Sequence, residues 1–172
     1  MAVHEKWMES PIGKLRLLAE DGALVGLLME EYRHAPHCTV ERGGEPVLEE
    51  AVSQLRAWLA GDRTQFDLPL RPAGTPFELA VWRALQAIPF GETRSYGAIA
   101  AEVGRPQAVR AVGAANGRNP IAIVVPCHRV IGANGSLTGY GGGLARKQWL
   151  LDHERAVRAR SAPAPRQGRL AL

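Results

Sequence analysis

The sequence predicts an α+β protein. A small N-terminal sheet-plus-helix domain covers residues 1–74. A mostly helical domain of winged helix-turn-helix type covers 75–158, and a basic tail covers 159–172. Three observations carry this reading. Residues 10–29 alternate turn and strand signals. Thr75-Pro76-Phe77-Glu78 is a capping-box start that opens a series of short helices. Two of those helices are joined by a tight glycine-containing turn.

In chain order, Ser10-Pro11-Ile12-Gly13 reads as a turn, and Leu15, Leu17 and Leu18 as a short strand. Asp21-Gly22 reads as the hairpin turn into Leu24–Met29. Residues 33–46 carry no periodicity and read as a loop. From Pro46 to Ala60, Val47, Ala51, Leu55 and Leu59 recur every fourth residue, with Gly61 as C-cap, so this stretch reads as a helix. Phe66–Leu70 is a short extended piece, and Arg71–Gly74 a linker.

In the second half, Phe77, Val81, Ala84, Leu85 and Ile88 form one apolar helical face that Pro89-Phe90-Gly91 ends. Ser95 caps a second helix with Tyr96, Ile99, Ala100 and Val103 on one side, closed by Gly104. A third is expected to start at Arg105-Pro106, with Val109, Val112 and Ala115 inward, fading at Asn116-Gly117. Ile121–Val125 is wholly apolar and rich in β-branched residues, so it reads as a buried strand that Pro126 breaks. Asn134-Gly135 signals a further turn. A last helix is expected from Leu144 to about Arg158, with Leu144, the Lys147 stem, Leu151 and Glu154 along one stripe. The tail from Ala159 contains Pro163, Pro165 and three arginines and is expected to lack order.

The 172 residues carry 21 Lys plus Arg against 17 Asp plus Glu, a net charge of +4. That balance permits nucleic acid, anionic membrane or acidic partners without choosing among them. Two distant cysteines, Cys38 and Cys127, make neither a secreted disulfide framework nor a cysteine-rich zinc site. The N-terminus has no apolar signal core, and no apolar run approaches the ~18 residues of a membrane span. A reducing, cytoplasmic compartment and no membrane partner are therefore expected. His34, His37 and Cys38 sit close together, but their spacing fits no closed tetrahedral motif, so no metal is expected. The glycine run 141–143 lacks the context of a phosphate loop.

Pro126-Cys127-His128-Arg129 is where chemistry concentrates. A thiol beside cationic groups can have a depressed pKa, and its thiolate is then a nucleophile. A free cysteine is more often a small core residue, so the neighbours decide. Neighbouring side chains of a strand point to opposite faces. His128 therefore reaches the Cys127 sulfur only if the chain turns at Pro126 or a water bridges the two. A third group should orient the imidazole. Residues 107–117 form an unusual helix of mainly Ala and Gly with one long polar side chain, Arg110. Major-groove readers carry several such side chains. The helix is either packed inside the protein or laid close to DNA without reading its sequence.

Ile123–Ile131 resembles the active-site signature of the O6-alkylguanine-DNA alkyltransferases. Phe77–Pro89, Gly91–Gly97, Ala108–Gly113, Asn119-Pro120, Leu137–Leu144 and Lys147–Glu154 resemble the same family in order, densely over 75–154. The N-terminal half resembles it mainly at Ser10–Leu15. The resemblance implies direct-reversal DNA repair, with one alkyl (methyl) group moved from flipped-out O6-alkylguanine, and in some cases O4-alkylthymine, onto Cys127. It implies that His128 deprotonates Cys127 through a water, that Glu154 holds His128, and that Tyr96 hydrogen-bonds the guanine and helps rotate it out. Arg110 would fill the gap in the stack, with Arg105, Ala111 and Gly113 also on the DNA. Val130, Tyr140 and Gly141 would line the base pocket, and Asn119 would brace the turn. A monomer acting on double-stranded DNA, with no cofactor, follows from the resemblance. Members with an N-terminal zinc have ligands that do not match this chain.

Two other classes would use the same residues: a cysteine hydrolase built on Cys127 and His128, and a DNA-binding regulator. The first would need an oxyanion hole, for which no signature is visible. The second is poorly served by the helix 106–117.

Overall fold

The computed structural model describes residues 2–30, 40–42 and 44–161. Four strands make the N-terminal sheet: β1 (Val3–Met8), β2 (Leu15–Glu20), β3 (Ala23–Met29) and β4 (Val40–Arg42), in the order β3-β2-β1-β4. β1, β2 and β3 are antiparallel neighbours, and β4 runs parallel to β1. The β2–β3 hairpin turns at Asp21 (φ 47°) and Gly22 (φ 77°). Two successive left-handed residues give the turn whose twist matches a right-twisted ribbon. The sequence reading found this hairpin and missed both flanking strands. β1 mixes charge and apolar residues without clean alternation. β4 is a three-residue strand inside the stretch read as a loop.

α1 (Pro46–Ala60) covers one face of the sheet and buries Val47, Leu48, Ala51, Val52, Leu55 and Trp58. Pro46 sets its first turn. Gly61 (φ 83°) ends it, with the Gly61 and Asp62 amides donating to the Trp58 and Ala57 carbonyls. The outer edge of β3 is not left open. Leu24 exchanges backbone bonds with Pro69 and Arg71, and Leu27 with Pro120 and Ala122. The second pairing brings the sheet against the segment that leads to Cys127.

α2 (Pro76–Gln86) carries the full capping box, with Thr75 and Glu78 each bonding the other's amide. A two-residue strand, β5 (Arg94–Ser95), leads into α3 (Tyr96–Glu102), which Ser95 caps and Gly104 (φ 78°) follows. α4 (Val109–Gly117) starts later than the sequence suggested. Arg105–Ala108 is a turn, and Ala108 at ψ 36° lies off the helical path. Val112 and Ala115 point inward as expected, whereas Val109 is 41% exposed because it stands in the first turn beyond the packed face.

The apolar run Ile121–Val125 is buried but is not a strand. Only Ile121 pairs, with Leu27. Ile123 sits at φ 70°, a costly conformation for a β-branched residue. Asn119 imposes it by accepting from the Ile121 amide and donating to the carbonyls of Val125 (2.7 Å) and Ile121 (3.5 Å). Uniform apolarity reported burial here, and burial alone does not separate strand from turn.

A 3-10 turn, Cys127–Arg129, follows at once, then β6 (Val130–Ile131), which pairs parallel with β5. α5 (Leu144–Ser161) runs three residues past its expected end, so Ala159, Arg160 and Ser161 are helical rather than part of a tail. Lys147, Leu151 and Glu154 are buried along it, joined by Leu150 and Val157, whereas Leu144 at its start is 50% exposed. His34, His37, Cys38 and residues 162–172 lie outside the described residues. Among the described residues no helix is long and apolar enough to cross a membrane, and no cluster of three His, Cys, Asp or Glu could hold a metal.

Candidate active site

Cys127 lies at the start of the 3-10 turn, 4% exposed, with His128 (0%) and Arg129 (7%) buried behind it. Of the two geometries left open by the sequence, the chain does turn at Pro126. The Cys127 amide bonds the Val125 carbonyl at 2.8 Å, and the Arg129 amide bonds that of Pro126 at 3.0 Å. The turn is gripped from two sides. Asn119 holds the Val125 carbonyl, and Asn116 Nδ2 donates to the Cys127 carbonyl at 3.3 Å.

His128 Nε2 is 2.6 Å from Glu154 Oε2. Arg129 grips the same carboxylate from Nε (2.9 and 3.1 Å) and Nη2 (2.9 Å), and the Gly91 amide adds a bond of 3.1 Å. Arg129 Nη1 donates to the Ile88 carbonyl at 2.8 Å, and the guanidinium lies over the Phe90 ring. Burial would raise the Glu154 pKa, but the bonds and charges of His128 and Arg129 outweigh it and hold the carboxyl at about 2. This explains how a charge 1% exposed is tolerated. His128 Nδ1 is buried and has no hydrogen-bond partner.

The electrostatics correct one expectation. Burial pushes the Cys127 thiol above its ordinary 9.0, although Asn119, the Lys147 charge, its own backbone and Tyr140 pull the other way. Burial also pushes His128 below its ordinary 6.5 against the pull of Glu154. The resting pair at neutral pH is a thiol and a neutral imidazole, not a thiolate and an imidazolium. With Nε2–H given to the carboxylate, Nδ1 keeps its lone pair.

Lys147 was expected to bury only its stem. Instead the whole side chain is buried, and Nζ donates to the carbonyls of Val130 (2.5 Å) and Thr138 (2.9 Å). Burial lowers its pKa to about 8, partly opposed by Cys127. Tyr96 donates its hydroxyl to the same Thr138 carbonyl at 2.9 Å.

A cavity of about 10 Å³ adjoins the thiol, lined by Cys127, Asn116, Asn119, Tyr140, Gly141 and Gly142, and by Leu27 and Met29 from the sheet. That is about the space of one water. Outside it lies a groove of about 690 Å³ between α4 (Gly113, Ala114, Gly117), with Arg118 just after it, and residues 139–144 and 146. Tyr140 and the glycines 141 and 142 belong to both. Arg110 and Ala111 are exposed on the outer face of α4. Arg105 lies in the turn before α4, stacked on the Phe77 ring at 5.6 Å. The fold thus sets Asn119 beside the Cys127 thiol and Glu154 against His128, the next residue of the same turn, with Val130 adjoining through Lys147. Tyr140 and Gly141 stand at the mouth, and Arg110, Ala111 and Gly113 along the open helix. Arg129, Asn116 and Lys147 were missed. Arg129 stood in plain view, since a buried cation demands an acid, but nothing in the sequence says that it is buried.

A family model described as "6-O-methylguanine DNA methyltransferase, DNA binding domain" matches residues 76–156, and one described as its ribonuclease-like domain matches 3–72. The methylated-DNA–protein-cysteine methyltransferase of Mycolicibacterium paratuberculosis is 54% identical over 153 residues, spanning 89% of this chain and 93% of that protein. The constitutive one of Bacillus subtilis is 47% identical, spanning 86% and 92%. A crystal structure of the Mycobacterium tuberculosis protein in complex with DNA aligns with a TM-score of 0.84 at 52% identity, over 90% of this chain and 94% of that one. Matches that cover nearly the whole chain at such identity leave one assignment: the chain belongs to the 6-O-methylguanine DNA methyltransferase family.

Proposed function

We propose that the chain repairs double-stranded DNA by direct reversal, taking the alkyl group of O6-alkylguanine onto Cys127. The observation that carries this is the pairing of a buried thiol with a methyl-sized cavity that opens to a groove beside a smooth helix. A base inside a duplex cannot reach a buried sulfur, so the nucleotide must be flipped out into the groove. The exposed Ala111 and Ala114 and the half-buried Gly113 and Gly117 of α4 suit close approach without sequence readout, with Arg105, Ala111 and Gly113 along the DNA and phosphate contacts giving affinity. Arg110 fills the stack that the flipped base leaves.

The chemistry closes on these residues. His128 Nδ1 takes the Cys127 proton, through one water, while Glu154 holds Nε2 and stabilises the imidazolium that forms. The sulfur attacks the alkyl carbon, the bond from that carbon to O6 breaks, and guanine leaves with the electron pair and is then protonated. Tyr96 gives up its bond to Thr138 to donate to the leaving ring. Val130, Tyr140 and Gly141 hold the base, and Asn119 holds the turn under the sulfur. The product is a neutral thioether, and among the described residues that line its cavity there is no second nucleophile to take the alkyl on, so each molecule acts once. The thiol must stay reduced, which fits a cytoplasmic monomer. The 1–74 and 75–158 units divide the labour into a supporting sheet and a DNA-facing half.

Incubation with duplex O6-methylguanine DNA tests this reading. Cys127 should gain one methyl mass, and product should plateau at one per protein. Cys127→Ser should bind the lesion without transfer. Product in several-fold excess over protein would overturn it and favour a hydrolase.

A further inference from the structure

The His128 ring is pinned at one point. Nε2 bonds Glu154 Oε2 at 2.6 Å, while Nδ1 is buried without a hydrogen-bond partner. One bond fixes one atom. It leaves the tilt of the ring to its packing, because the outer torsion of a histidine is broad. That tilt decides where Nδ1 points.

The ring that packs on it comes from the N-terminal half of the chain. Trp58, in the last turn of α1, is 0% exposed and meets His128 edge-on, with ring centroids 6.3 Å apart and planes at 75°. Trp58 is braced by neighbours of the same relay. Its ring meets Phe90 edge-on at 6.1 Å. Phe90 lies under the Arg129 guanidinium and precedes Gly91, whose amide holds Glu154. The Trp58 carbonyl accepts from His153 Nε2 at 2.8 Å, one residue before Glu154. The indole Nε1 is buried and has no hydrogen-bond partner. An unpaired buried donor is disfavoured, and leucine or phenylalanine would fill space without one. What the indole offers here is its broad flat ring, not its N–H.

We infer that Trp58 is a positioning residue for the proton relay, its ring setting the tilt of His128 so that Nδ1 serves Cys127 while Nε2 stays on Glu154. Edge-to-face ring contacts are favourable and directional. Displacing a reacting group by about 1 Å can cost about a hundredfold in rate. Trp58 lines neither the cavity at the thiol nor the groove outside it, so it acts through His128 alone. The charged and titratable groups around His128 are Glu154 and Lys147 of α5 and Arg129 of its own turn, with His153 behind Trp58, and every variant below keeps them. The inference rests on the proposed transfer to Cys127.

The test is the single-turnover rate of methyl transfer from duplex O6-methylguanine DNA at pH 7 and pH 8. It is measured in Trp58→Leu and Trp58→Phe, alone and combined with His128→Phe. Wild-type rates at the two pH values should agree within about twofold, because the imidazole takes the proton. A thiol without that help gains about tenfold in thiolate per pH unit below its pKa. Trp58→Leu should be about tenfold slower than wild type at pH 7 and gain several-fold by pH 8. Trp58→Phe keeps an aromatic edge and should lie between, and it carries the comparison if Trp58→Leu does not fold. In the His128→Phe background the Trp58 changes should cost less than about twofold more, because members of one unit are not additive. The final yield per protein reports the folded fraction separately from the rate. If the Trp58 variants change only that yield, or slow transfer equally with and without His128 at an unchanged pH ratio, Trp58 merely packs and the inference is overturned. A wild type that transfers nothing overturns the repair reading itself.

Discussion

His128 and Glu154 meet through a 2.6 Å contact between Nε2 and Oε2, with both side chains essentially inaccessible to solvent. The contact spans 26 residues and joins the 3-10 turn to the middle of α5. It decides which nitrogen of the ring is available, and the carboxylate that makes it is also the counter-charge of Arg129. Under the proposed transfer Glu154 therefore has a positioning task and a structural one at once.

Removing the Glu154 charge should cost stability as well as rate. Glu154→Gln leaves the Arg129 guanidinium buried without its counter-ion, and breaking one side of a buried pair costs about 3–5 kcal/mol. The pH dependence has a definite sign. The carboxyl is held at about 2 in the fold against an ordinary 4.5. The unfolded chain thus takes up its proton first as pH falls. The stabilisation is complete above about 4.5 and is lost as pH falls from there through about 2. Urea denaturation should show a lower midpoint for Glu154→Gln at neutral pH, and a gap to wild type that narrows toward pH 2. A constant gap would show that the charge is not what Glu154 contributes.

The neutral resting pair predicts a different pH profile for each variant of the base. With His128 lowered below 6.5, the ring is a competent acceptor at neutral pH, and wild-type alkylation should change little between neutral pH and about 8, where Lys147 begins to lose its charge. In His128→Phe the thiol must ionise unaided, and burial holds it above 9.0. Its rate should be low at neutral pH and climb steadily into the alkaline range. The rate of methyl transfer to Cys127 against pH checks this. A flat profile in His128→Phe would remove the imidazole from the proton path.

Arg110 should matter only when a stack has to be filled. It is exposed on the first turn of α4, away from the Cys127 cavity. Unstacking a base costs a few kcal/mol in a duplex and nothing for a free base. Arg110→Ala should therefore slow repair of duplex DNA by tenfold or more and leave reaction with free O6-alkylguanine near wild type. Equal losses on both substrates would place Arg110 in the pocket.

Gly142 guards the depth of the cavity. A Cβ there would stand 2.3 Å from Met29 Sδ and 3.0 Å from the Tyr140 ring, both of which wall the cavity. The thioether can swing aside, but only by moving within that wall. Gly142→Ala should retain the fold, with a melting temperature within a few degrees of wild type, and slow methyl transfer several-fold. Unchanged transfer would mean that Met29 moves outward rather than into the cavity.

The sequence disclosed what depends on local chemistry and hid what depends on distant pairing. The capping box at Thr75, the Asp21-Gly22 turn and the Gly61 C-cap of α1 follow from residues within four positions, and all are present. Ile121–Val125 misled because an apolar run reports burial, while the asparagine that bends it precedes the run and gives no periodic signal. Cys127 and His128 were legible as neighbours in one motif. Their tautomer depends on one acid among 17, and only the resemblance to a known family picked Glu154 before the fold did. Asn116 was hidden differently, since its contact to the Cys127 carbonyl crosses between α4 and the 3-10 turn. Lys147 was misjudged because a lysine on a helix normally extends its charge to water.

Lys147 offers the sharpest separation of electrostatics from packing. Its ammonium ties the Val130 and Thr138 carbonyls together and is a positive charge that favours the Cys127 thiolate. Burial is the larger influence on its own pKa, which falls from 10.5 to about 8. Between those values the unfolded chain holds the proton that the folded one has released, so Lys147 makes folding more favourable as pH rises from about 8 to 10.5. Near pH 9, however, it loses the charge that assists the thiolate. Lys147→Met keeps the stem and removes the charge, leaving two carbonyls without their donor. It should slow methyl transfer at neutral pH by tenfold or more and abolish any fall in reactivity near pH 8–9 that tracks the ammonium. Meanwhile the destabilisation it causes at pH 7, measured by urea, should grow at pH 10, because wild type gains stability over that range and the variant has no group there to titrate. Lys147→Arg is the control: it keeps a charge that does not titrate there, so any feature near pH 8–9 should vanish while the rate stays above that of Lys147→Met. If Met and Arg variants behaved alike across the whole pH range, the role of Lys147 would be to hold the two carbonyls, and its charge would play no part in the reaction of Cys127.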